Sequence, residues 1–327
     1  MANPYILKKG VSSVLDLKDG GLALGMGVGN VYHVVQAANT AVYAHVQRDY
    51  AGKYSDGSNA VHVTVQSALD ATVANRNDYV ILWPDSSDYD STATIAMSKR
   101  DVHLICPAGL GHQGFPPNAA RIHQNTAATA CITITADAVE VAGIFFKGVE
   151  GGNIIDLTGT RWSPHIHDCF FGIAATASSG NYGIYASGAC SHFSFHDNMF
   201  TNYSPGAMTG TDNNIAAFIG ITQNSSTRGL IRNNIMHTGA NTTVATAINC
   251  AGYGCFILGN YLWEDVAFGG SQAGVLSLGI STSADCLVAD NRIGMTTANA
   301  ANGVISGTAN QSYVVNYEGT TGGTLLV

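Results

Sequence analysis

Phe195-His196-Asp197-Asn198-Met199-Phe200 recurs in outline as Ile231-Arg232-Asn233-Asn234-Ile235-Met236, Ile257-Leu258-Gly259-Asn260-Tyr261-Leu262 and Val288-Ala289-Asp290-Asn291-Arg292-Ile293. Each copy is a short strand that ends at an asparagine, with large apolar residues following. A unit of this length cannot bury a core of its own and must stack on copies of itself. Val141–Phe146 and Ile166–Phe171 extend the series upstream with Asn replaced, and Asn316 extends it weakly downstream. The column Ile144, Cys169, Asn198, Asn234, Asn260, Asn291 and Asn316 has spacings of 25, 29, 36, 26, 31 and 25 residues.

Two flanking columns fix the register. Val141, Ile166, Phe195, Ile231, Ile257 and Val288 lie three positions before, and Phe146, Phe171, Phe200, Met236, Leu262 and Ile293 two positions after. All are apolar, so both columns should face inward. A further apolar column runs through Ile154-Ile155, Ile184, Ile219, Ile248, Leu276 and Val304, so each repeat holds at least two strands. Seven or more rungs at the inter-strand spacing predict a right-handed rod of roughly 35–45 Å. Length varies between the asparagine and this last column, most of all at Asn202–Asn214. The asparagines have a structural role, since Asn tolerates the left-handed conformation of a sharp corner and stacked amides can bond along the axis.

Composition agrees. Of 327 residues 46% are hydrophobic and 11% charged, only four are Glu, and no Lys follows Lys147, which suits strands better than solvent-exposed helices. The net charge of −8 comes without a basic stripe, which argues against a nucleic-acid partner. No apolar run is long enough to span a bilayer, and Met1–Gly10 lacks the order of a signal peptide, so no membrane partner and synthesis in a cytoplasm are expected. Seven cysteines without a CxxC pair predict free, buried thiols.

Three regions are expected. Residues 1–50, with the Gly-rich stretch Gly20–Gly29, read as an attachment arm. Residues 51–110 hold a capping helix within Val61–Ala74, through Val65, Ala68, Leu69 and Thr72-Val73, then the apolar strand Tyr79–Pro84 and the first rungs. Residues 111–327 form the β-helix body. The cap and the corners at Asn198, Asn234, Asn260 and Asn291 resemble the right-handed parallel β-helix superfamily, which includes pectate lyases and virion proteins of tailed bacteriophages. The resemblance covers about residues 55–320 and implies an all-β, right-handed, single-stranded parallel β-helix with a short N-terminal capping helix and a Gly-rich arm. It also implies a homotrimer and a place in a virion, docked on capsid or tail proteins through residues 1–50.

Chemistry is sparse. Asp168, Asp197 and Asp290 share the position before the asparagine; neighbouring carboxylates can hold a hard cation or act as an acid/base pair, or bond local backbone. His165 and His167 flank the inward Ile166 and should point outward, with His196 and then Arg232 following His167 in its column. His167 and His196 could make a zinc pair, but without evident further ligands, or simply a solvent-facing histidine ladder. The pairs His167/Asp168 and His196/Asp197 are adjacent, which in a regular strand sends them to opposite faces. Trp162, Tyr182, Tyr185, Tyr203, Tyr253, Tyr261 and Trp263 are scattered, without a demonstrable sugar-binding row. No catalytic, cofactor or metal residue is therefore assigned. The expectation is a structural virion protein, a capsid-decorating β-helix. Two alternatives stand beside it: a tailspike that binds or cleaves a host surface glycan as a polysaccharide lyase or glycoside hydrolase, and a non-viral carbohydrate-active β-helix or adhesin.

Overall fold

The computed structural model describes residues 29–37, 40–111, 118–148, 151–173, 181–201, 213–238, 242–244, 246–264, 280–282, 285–294, 305–307, 312–314, 316–318 and 324–326. The chain is a right-handed parallel β-helix with three long sheets of 11, 10 and 9 strands. One full turn runs from His165–His167 in the first sheet to Phe170–Gly172 in the second, Asn181–Ala186 in the third, and back to Ser194–His196. Each rung thus has a third strand beyond the minimum of two. Strand neighbours pair in parallel, except that Thr324–Leu326 lies antiparallel to Asn316–Glu318.

The predicted columns are the register. Val141, Ile166, Phe195, Ile231, Ile257 and Val288 pair in succession and are fully buried. Phe146, Phe171, Phe200, Met236, Leu262 and Ile293 pair likewise along the second sheet. Phe171 stacks on Phe200 with ring centroids 4.5 Å apart. At roughly 1.5–3 kcal/mol for each fully buried large apolar side chain, these columns dominate the favourable side of folding. The third column needs correction: after Ile248 it continues through Ile280 and Ile305, not Leu276 and Val304. Both expected residues lie outside the described ones.

The asparagines form a buried ladder. Asn198 Nδ2 donates to Asn234 Oδ1 at 3.1 Å, Asn234 Nδ2 to Asn260 Oδ1 at 2.9 Å, and Asn260 Nδ2 to Asn291 Oδ1 at 2.9 Å. Each of these accepting oxygens also takes the backbone N–H of the asparagine one rung earlier. The left-handed residue of the corner is a different one. Gly143, Asp168, Asp197, Asn233, Gly259 and Asp290 take φ of 68°, 52°, 54°, 53°, 62° and 53°, each directly before the ladder position. A positive φ suits Gly, Asn and Asp, and that column holds nothing else. The corner is two residues long on every one of these rungs, whereas the connection from the second to the third sheet runs from 148–154 up to 265–279.

The N-terminal end carries two helices: α1 (Thr40–Tyr50), whose Tyr50 and His45 pack on the outward His33 and Trp83, and α2 (Val65–Ala71), which closes the core. In α2, Val65, Ala68 and Leu69 are buried as predicted; the helix ends early, and Val73 is exposed. Thr64 caps its start by accepting from Ser67 N, and Lys99 Nζ caps its end on the carbonyls of Leu69, Asp70 and Thr72. The strand Val31–Val34 pairs with Val61–His62 on one side and Asp78–Leu82 on the other. Sheet and helix therefore begin inside the segment expected as an arm, because Tyr32 and Val34 have an apolar interior to fill. Residues 1–28, including most of the Gly-rich stretch, lie outside the described residues. Among the described residues no helix is long and apolar enough to cross a membrane, and all seven cysteines are free and buried.

Candidate functional site: a histidine–carboxylate network on the first sheet

The outer face of the first sheet carries two columns. One runs His103, Glu140, His165, Ser194, Leu230, Phe256, Leu287; the other Ile105, Ala142, His167, His196, Arg232, Leu258, Ala289. Strand alternation sends both outward, since Leu104, Val141, Ile166 and Phe195 between them point in. Where the histidines and carboxylates fall on consecutive rungs they bond to one another.

Glu140 is the hub. Its Oε2 lies 2.6 Å from His103 Nδ1 and its Oε1 2.8 Å from His167 Nε2. His103 Nε2 reaches Asn77 Oδ1 at 2.6 Å. His167 Nδ1 bonds Asp168 Oδ2 at 2.7 Å, and Asp168 Oδ1 accepts from Gly111 N. His196 Nδ1 bonds Asp197 Oδ2 at 2.6 Å, while its Nε2 lies 2.6 Å from His165 Nε2. The rings of His165 and His167 stack at 4.3 Å, and those of His167 and His196 at 5.0 Å.

The outward direction of His165, His167 and His196 is as expected. The opposite-face placement of His167/Asp168 and His196/Asp197 is overturned, because Asp168 and Asp197 are the left-handed corner residues. A positive φ breaks the alternation and swings each carboxylate back beside its own histidine. Asp168 and Asp197 accordingly turn to the histidines of their own rungs. Arg232 follows on the next rung and is exposed. Trp162 is exposed and stacked on His192 at 5.0 Å, and Tyr182 stacks on Tyr185 at 4.4 Å. Tyr203 and most of Asn202–Asn214 lie outside the described residues.

Glu140 and His103 are members that sequence reasoning does not pick out. One signal for Glu140 exists: it precedes Val141, which places it in the column of His165.

Mutual bonding sets the protonation. Burial works to raise the Glu140 carboxyl, but hydrogen bonds from His103 and His167 outweigh it and hold Glu140 well below the usual carboxylate range. Burial likewise opposes ionisation of Asp168, and the His167 bond brings it below its ordinary value. For His167 burial is overcome by Asp168 and Glu140, which hold the imidazolium up to about 9. His165 goes the other way: burial, then the charge on His167, push it down to about 4.

Two other groupings offer several ligand atoms among the described residues: the buried thiols Cys250, Cys255 and Cys286, and Asp88, Asp90 and His123. In the latter Asp88 is already paired with Arg121 at 2.7 Å and Lys147 at 3.5 Å.

No protein-family model matches the chain, and no curated protein matches it. Among solved structures the chain is similar to the A-module of the mannuronan C-5 epimerase AlgE4 of Azotobacter vinelandii. The match has 10% identity and a TM-score of 0.21, and covers 94% of this chain and 91% of that one.

Proposed function

We propose that this β-helix is a structural protein that packs side by side with copies of itself, as a homotrimer, in a larger assembly of the kind a phage virion presents. One observation carries this. Beyond the histidine network, the outer face of the first sheet turns mostly apolar: Leu230, Phe256, Leu258, Leu287 and Ala289 occupy five of the six outward positions on three consecutive rungs, Arg232 holds the sixth, and Phe256 is 47% exposed. Outward positions on a solvent-facing sheet are ordinarily polar, and a contiguous apolar strip on a rigid surface favours a protein partner. Its repeat along the axis suits an identical rod.

The protonation of Glu140, His165 and His167 weighs against their acting in acid–base catalysis. A general acid or base works best with a pKa near the operating pH. Here His167 is held at about 9, His165 at about 4, and Glu140 far below neutrality. Cleavage of a host glycan is the competing function, favoured by the two His–Asp pairs on one outward face.

The test is sedimentation velocity of the purified chain across a range of concentrations. A trimer is expected, and Phe256→Asp with Leu258→Asp should give a monomer with unchanged far-UV circular dichroism. A wild-type chain that stays monomeric at tens of micromolar, or that releases reducing ends or unsaturated sugars from a panel of surface polysaccharides, would overturn the proposal.

A further inference from the structure

We propose that His165, His167 and His196 form a binding site for one divalent transition-metal ion, zinc by chemistry, that ties two adjacent rungs together on the outer face of the first sheet. Each histidine offers a ring nitrogen, and the three atoms lie within 4.8 Å of one another. Three imidazole nitrogens suit zinc and its neighbours and are poor ligands for calcium or magnesium, which prefer oxygen.

The carboxylates behind the rings are the stronger sign. A metal-binding histidine usually gives its other ring N–H to a carboxylate, which fixes the tautomer and aims the free nitrogen at the ion. Asp197 takes the Nδ1 proton of His196, and Asp168 that of His167, which leaves Nε2 of each ring to face an ion once His167 gives up the Nε2 proton it donates to Glu140. His165 adds the third nitrogen from the rung of His167. Glu140 Oε1, 2.8 Å from His167 Nε2, holds that ring in place by a hydrogen bond. These groups come from three separate strands, and each carboxylate is turned towards a histidine by a left-handed corner or by register.

The Nε2 atoms of His165 and His196 are 2.6 Å apart, which requires a proton between them. Two nitrogens on one tetrahedral zinc are about 3.4 Å apart at the usual bond length. Binding therefore displaces two protons to solvent, this one and the Nε2 proton that His167 donates to Glu140, and opens the His165–His196 pair by under an ångström. His165 can supply the movement, as its side chain is 39% exposed.

The test uses the full chain, stripped with chelator, and Zn²⁺ alone as probe. Equilibrium dialysis at neutral pH should give one zinc per chain, with a rise in the thermal midpoint of wild type. Asp197→Asn should weaken binding about 10–100-fold. That variant keeps the corner, since Asn233 holds the same backbone conformation one rung on. His165→Ala and His196→Ala should weaken binding further and remove the thermal response. Absence of saturable uptake by wild type would overturn the proposal. So would uptake that persists in both histidine variants and disappears in Cys255→Ser, which would place the metal on the buried thiols.

Discussion

Truncating the ladder at its centre should cost far more than the volume removed suggests. In Asn234→Ala, four side-chain hydrogen bonds vanish. The amide oxygen accepts from the backbone N and from Nδ2 of Asn198, both at 3.1 Å, and the amide nitrogen donates to Phe195 O at 3.0 Å and Asn260 Oδ1 at 2.9 Å. Asn198 Nδ2 keeps its bond to Ile166 O, and Asn260 Oδ1 keeps the Asn234 N–H. The Asn198 backbone N–H does not keep its acceptor. A buried donor left alone costs about 1–3 kcal/mol, and each net bond lost adds about 0.5–1.5 kcal/mol. With the small cavity, the expected loss is about 3–5 kcal/mol, a large share of the roughly 5–15 kcal/mol that holds a typical domain folded. The assay is urea denaturation by far-UV circular dichroism, with hydrogen exchange at the Asn198 amide as a local readout. Asn233→Gly is the control: it is exposed, it lies at φ 53°, and Gly259 fills its place on the next rung, so the change should stay within about 1 kcal/mol. A loss below about 1 kcal/mol for Asn234→Ala, or equal losses for both variants, would refute the assignment of ladder and corner to different residues.

Gly229→Ala should destabilise by about 1–3 kcal/mol in the same denaturation assay, because a Cβ there would lie 1.9 Å from the buried ring of Phe193; a neutral result would mean that the Phe193 ring can move aside. Stability without added metal should be greatest near pH 6.5. Below it His165, with a folded value of about 4 against 6.5 unfolded, resists the proton that the unfolded chain takes up, so stability falls with acid. Above it the contribution of His167 fades as pH rises towards about 9, while Glu140 and Asp168, both held low, lose theirs only in stronger acid. The denaturation midpoint followed across pH should flatten above pH 6.5 in His165→Gln/His167→Gln and fall less steeply in acid, where buried His33, also lowered to about 4, still contributes; an unchanged profile would show that the network does not set it.

The apolar columns are legible in the sequence because an inward site on one rung must be inward on the next, whatever the loops between do. Val141 to Val288 can be aligned by eye for that reason. The third column drifts to Leu276 and Val304 where loop length changes most, since nothing local marks where a strand re-enters. Asn suits both the turn and the ladder, so sequence alone does not separate the two. Gly143 and Gly259, one position earlier, are the sign that the turn belongs to the preceding residue. The same ambiguity hides the site: strand alternation carried across a left-handed corner sends Asp168 and Asp197 to the wrong face. Tyr32 and Val34 read as arm because no later repeat resembles them; they fill the interior beside α2, with the short strand Val61–His62 beyond them among the described residues.

The two kinds of corner give the rod unlike edges. The ladder edge allows two residues per turn, and one more would move every following amide out of reach of its neighbour. The connection between the second and third sheets already spans lengths from 92–94 to 265–279 while the inward columns of the first two sheets keep their register. A foreign peptide spliced into successive connections of that kind would emerge from one side only, with anchor points about 4.8 Å apart along the axis. The molecule is in that sense a one-sided display rail, whose pitch is set by the backbone and whose cargo is set by splice length.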